Sequence, residues 1–66
     1  MSGSARGKLK EELEGIHTNM QWIILHSARC IDLIGDTHPD ITVFFKSLVE
    51  EMTLLDEGTA KIYGTI

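Results

Sequence analysis

Apolar residues recur along the first half of the chain in alternating steps of four and three: Leu9, Leu13, Ile16, Met20, Ile23, Ser27, Cys30 and Ile34, with Ser27 the one polar member. This spacing keeps the residues on one side of a long α-helix. Ile24 and Ile31 widen the stripe on one flank, which suits a helix in a bundle better than the narrow seam of a simple coiled coil. The same spacing returns in Ile41, Phe45, Leu48, Met52 and Leu55, with Val49 as the widening residue. Two amphipathic helices with complementary stripes are therefore expected.

The segment between them carries stop and start signals. Gly35 follows the last apolar residue of the first stripe, where glycine can adopt the left-handed conformation that ends a helix. Pro39 suits a first helical position, with Thr37 or His38 as the cap residue and Asp40 near the positive end of the new helix dipole. So short a connection makes the helices antiparallel neighbours. The predicted fold is all-α: an antiparallel two-helix hairpin over 8–58, with a helix over about 8–34, a turn at 35–38 and a helix over about 39–57. Residues 1–7 read as a flexible leader, and Gly15 weakens the first turns by about 1 kcal/mol relative to alanine. Gly58 should end or loosen the second helix. The tail 59–66 can be extended, or helical with Ile62 in register.

Length changes the picture. A chain of 66 residues buries only about 60% of the surface its unfolded form exposes, and domains this small usually need a disulfide, a metal, a partner subunit or very regular helix packing. The single Cys30 excludes an internal disulfide. Placed on helices, Trp22 and Leu25 fall opposite the first stripe, Val43 and Leu54 lie off the second, and Phe44 stands at its edge beside Phe45. Burying a Leu or Phe contributes roughly 1.5 to 3 kcal/mol, enough for several together to drive association. Homodimerisation into a four-helix bundle is the simplest closed solution. The candidate interface residues are Trp22, Leu25, Phe44, Phe45 and Leu54.

Charge narrows the partners. Ten acidic against six basic residues give a net charge of −4, which disfavours nucleic acid and anionic lipid. Arg6, Lys8 and Lys10 make the start basic, whereas Glu50, Glu51, Asp56 and Glu57 make the later part acidic. The longest apolar run, Trp22–Leu25, is far short of the ~20 residues that span a bilayer, so no membrane association is expected. A lone thiol fits a reducing, cytoplasmic setting.

Candidate chemistry is sparse. His26 and Cys30 are four residues apart on one helix side, and two such pairs meeting in a dimer have the ligand types of a tetrahedral zinc or redox site. Cys30 in an apolar stripe reads more simply as a small packed residue. Asp36, His38 and Asp40 are accounted for by helix capping, and His17 by a polar position at the seam edge. The expected function is non-enzymatic and without cofactor: a self-associating helical hairpin that acts as adaptor or regulator of a larger complex, binding itself and another protein. The alternative is an RNA-binding hairpin dimer regulating gene expression or replication, for which the scattered cations are a poor footprint.

Overall fold

The structure, a computed structural model, describes residues 3–66. Met1 and Ser2, where the expected leader begins, lie outside the described residues. Helix α1 spans Gly3–Ile34 and helix α2 spans Pro39–Thr65. They pack side by side in opposite directions as an antiparallel hairpin measuring 52 × 15 × 12 Å. Among the described residues, no helix is long and apolar enough to cross a membrane.

The turn forms from the residues that predicted it. Gly35 takes φ +60° and its N–H donates to the Ile31 carbonyl at 3.0 Å, closing α1 in the left-handed geometry that costs glycine least. Thr37 Oγ1 donates to the Ile34 carbonyl at 2.7 Å. His38 is the N-cap of α2 but contributes no side-chain capping bond. Pro39 begins the helix, and Asp40 lies in its first turn.

Both helices are longer than expected. α1 begins at Gly3, and α2 runs through Gly58 to Thr65. A glycine inside a helix costs about 1 kcal/mol, yet contacts from α1 hold the last turns in place. Tyr63 donates its hydroxyl to Glu14 at 2.8 Å, and the Lys10 ammonium stands 5.0 Å from the Tyr63 ring centre. Tertiary partners here outweigh a weak local preference.

The seam departs from the predicted one by a partial rotation of each helix. Leu13 and Ser27 are buried, and Met20, Ile24, Ile31 and Ile34 are half-buried beside them. From α2 the half-buried residues include Thr42, Phe45, Val49, Met52, Asp56 and Thr59. Ile16 and Ile23, expected in the seam, remain 43% and 40% exposed, and Leu55 remains 55% exposed. The cause is the width of each stripe, which holds three rows of apolar positions where a single neighbouring helix covers only two. The neighbour takes the flank that contains Ile24, Ile31 and Val49, so the centre of each stripe points between the neighbour and open solvent.

Ser27 is polar and buried within the seam. Its Oγ donates to the Ile23 carbonyl at 2.7 Å, which satisfies the hydroxyl inside its own helix. Thr42 Oγ1 is enclosed without a hydrogen-bond partner among the described residues.

Candidate interaction surface

One flank of the seam is polar. Glu14 and Gln21, which follow the seam residues Leu13 and Met20, reach across to α2 there. Gln21 Nε2 donates to Asp56 Oδ2 at 2.9 Å, and His17 Nδ1 donates to both Asp56 oxygens at 2.7 and 2.8 Å. These bonds, led by the one from His17, hold the Asp56 carboxyl below its ordinary range. The Tyr63 phenol is shifted the other way, raised chiefly by the Glu14 carboxylate that accepts its proton in a hydrogen bond.

The other flank is apolar. On α1 it carries the residues that precede Lys10, His17, Ile24 and Ile31, namely Leu9, Ile16, Ile23 and Cys30. Viewed down the hairpin, two right-handed helices of opposite direction wind in opposite senses. The residues that precede Thr42, Val49, Asp56 and Tyr63 therefore stand on the same flank: Ile41, Leu48, Leu55 and Ile62. Leu9, Cys30 and Leu48 are half-buried by their neighbours, and the other five are exposed. Two parallel apolar ridges thus run the length of one face, with Met20, Phe45 and Met52 between them. Small monomers rarely expose a contiguous apolar patch larger than a few hundred Å².

The periodic pattern alone assigns this surface differently. Ile16, Ile23, Ile41, Leu48 and Leu55 read as hairpin core, and Ile62 as tail. The signal that identifies them is the width of the stripes, three rows where a two-helix unit buries two.

Of the interface residues expected from sequence, Phe45 lies between the ridges and Phe44 on their rim, whereas Trp22, Leu25 and Leu54 lie elsewhere on the hairpin. Trp22, 53% exposed, lies on the outer side of α1 and stacks on the His26 ring with centroids 5.9 Å apart. Leu25, also exposed, lines a shallow depression of about 430 Å³ with His17, Thr18, Gln21 and Trp22. Phe45 turns into the seam and is half-buried, whereas Phe44 is 60% exposed on the rim of the apolar face. The two rings meet edge to face at 5.3 Å. Leu54 lies on the outer side of α2.

His26 and Cys30 keep their one-turn relation on α1. Among the described residues, no three or more His, Cys, Asp or Glu side chains gather as a metal-binding group, so a zinc ion held here needs ligands from a second chain. A groove of about 450 Å³ on the polar flank is lined by Leu13, His17, Thr18, Asp56 and Tyr63, among others. The His17–Asp56 pair has the orienting half of a general-base arrangement. The Tyr63 hydroxyl in the same groove is turned to Glu14, and the polar contacts as a set fasten α2 to α1.

Comparison with known proteins gives no match to a family model, a curated protein or a solved structure.

Proposed function

We propose that the chain is a non-enzymatic protein-interaction module that self-associates through its apolar face and serves as a small adaptor or regulator of a larger complex. The observation that carries this reading is the pair of apolar ridges, Leu9–Ile16–Ile23–Cys30 and Ile41–Leu48–Leu55–Ile62, side by side on one face of the hairpin. The stripe centres point where the axis of a four-helix bundle would lie.

Surface area supports a partner of similar size. The chain exposes 4956 Å², whereas a compact monomer of its mass exposes about 4,200 Å². The excess, roughly 750 Å², is close to the ~800 Å² each partner contributes to a standard interface. Trp22, Leu25 and Leu54 lie away from that face and stay free in the bundle, where aromatic anchors suit contact with another protein. The polar side favours RNA poorly: Glu11, Glu14, Asp32, Glu50, Asp56 and Glu57 outnumber Lys10 and Lys46 there.

Sedimentation velocity over a range of concentrations tests the reading. A reversible transition from one-chain to two-chain mass is expected at micromolar concentration. A compact monomer throughout would overturn it.

A further inference from the structure

We infer that the occupant of the apolar face is a second copy of this chain laid on it with its turn at the opposite end, so that α1 packs on α1 and α2 on α2. This rests on the self-association proposed above and specifies its geometry. Two hairpins can join face to face by two different two-fold axes. One runs along the helices and places both turns at the same end. The other crosses the helices and places the turns at opposite ends. Both bury the ridges, so the choice depends on register and charge.

Register comes from the His17–Asp56 contact, which fixes which residues of the two helices stand level. From that contact the α1 ridge has its midpoint between Ile16 and Ile23, and the α2 ridge between Leu48 and Leu55. At 1.5 Å per residue the two midpoints agree in height to about 3 Å. A crossing two-fold axis at that height, in the layer of Met20 and Met52, returns each ridge onto itself reversed. Leu9 then meets Cys30 of the second copy and Ile16 meets its Ile23. On α2, Ile41 meets Ile62 and Leu48 meets Leu55. Phe44 comes level with Gly58 of the second copy, where the absent Cβ leaves room for a ring. The self-complementarity is the isologous pattern that a two-fold contact requires.

Charge favours the same arrangement. The half of the hairpin nearer the turn carries Arg29 and Lys46 against Asp32, Asp36, Asp40, Glu50 and Glu51. The open end balances Arg6, Lys8, Lys10 and Lys61 against Glu11, Glu12, Glu14, Asp56 and Glu57. Turns at the same end would bring two acidic halves together. With turns at opposite ends, the basic start of α1 in one copy, with Arg6 and Lys8, comes level with the acidic turn half of the other. The helix ends agree: among the described residues, α1 has no acidic residue in its first turn and no basic residue in its last. An antiparallel α1 pair sets the basic start of one copy against the negative end of the other. The opposing contact is Glu51 with its own copy, on a rim where water and salt keep the repulsion small.

The native thiol makes the geometry testable. Leu9→Cys adds a second thiol about 31 Å from Cys30 along one helix, too far for a short bismaleimide to bridge within a chain. The Leu9→Cys protein, which retains Cys30, is expected to give a two-chain product with that reagent on a denaturing gel. The natural protein, with Cys30 alone, and the Leu9→Cys/Cys30→Ser protein are expected to give none. Two-chain product from the single-thiol proteins, in a sample that sediments as a dimer, would overturn the arrangement and leave self-association standing. A dimer in which no protein of the set cross-links would also overturn the arrangement. Helical circular dichroism of each variant confirms that it folds, and Ile41→Cys with Ile62→Cys in the Cys30→Ser background, again about 31 Å apart along one helix, repeats the test at a second pair. A monomer by sedimentation would overturn both the arrangement and the function on which it rests.

Discussion

His17 and Asp56 meet at 2.7 Å across the polar flank of the hairpin, and the contact sets the height at which Ile16 and Leu55 stand on the opposite flank. Sequence neighbours thus do opposite jobs. His17 and Asp56 tie the two helices of one chain together, while Ile16 and Leu55, 43% and 55% exposed, face outward.

The Asp56 carboxyl is held low by the hydrogen bond from His17, with Gln21 contributing. A group whose folded pKa is depressed adds stability above its unfolded pKa, near 3.9, and loses it as pH falls through the folded value. Asp56→Asn should therefore unfold more easily than the natural protein near neutrality. The difference should shrink as pH is lowered through about 4 and below. Denaturant titrations at several pH values measure it, and a gap independent of pH would count against the contact.

Tyr63 gives the mirror-image case. Its phenol is raised by the bond to Glu14, so its contribution is complete below the unfolded value near 10 and lost as pH rises through the folded one. Thermal melts of the natural protein should fall above about pH 10, with fraying of the last turns of α2. Tyr63→Phe should be less stable at neutral pH and show a weaker alkaline fall.

Thr42 presents a buried hydroxyl oxygen without a partner among the described residues. An unsatisfied buried polar group costs about 1 to 3 kcal/mol, and valine keeps the branched shape without the hydroxyl. Thr42→Val is expected to raise unfolding free energy by about 1 kcal/mol, measured at a fixed protein concentration. A loss of stability would mean that the hydroxyl has a partner in solution.

Two glycines should respond in opposite directions to alanine. Gly15 lies inside α1 with open space around it, and an added methyl group would meet nothing within 4 Å. Gly15→Ala should therefore stabilise by about 0.5 to 1 kcal/mol. Gly35 sits at φ +60°, and Gly35→Ala should destabilise by about 1 to 2 kcal/mol through the left-handed backbone. Urea midpoints of the two variants on either side of the natural value are the expected result.

Much of this architecture was legible in the residues. The turn was, because Gly35 and Pro39 carry conformational constraints that no neighbour overrides. The two helices were, because their apolar periods are long and regular. The rotation of each helix about its own axis was not. Ile16 and Ile24 are equally apolar, and only packing decides which faces α2. Trp22 and Leu25 stand out as apolar residues off the stripe, while the larger uncovered surface lies within the stripe itself, in residues that a periodic reading assigns to the core. The last turns of α2 were obscured by Gly58, since the bonds from Tyr63 to Glu14 and from His17 to Asp56 are long-range and leave no local signature.

Leu54 and Leu55 are adjacent on α2 and similarly exposed, yet only Leu55 belongs to the apolar face. Replacing each with lysine and measuring the dimer dissociation constant by sedimentation equilibrium compares that face with the outer side directly. A buried Leu is worth about 1.5 to 3 kcal/mol and enters a two-fold interface twice. Leu55→Lys should therefore weaken association by at least ~100-fold, while Leu54→Lys should change it by less than about threefold. Equal effects from the two substitutions, or a dimer that Leu55→Lys leaves intact, would contradict assignment of this face as the surface through which the protein associates.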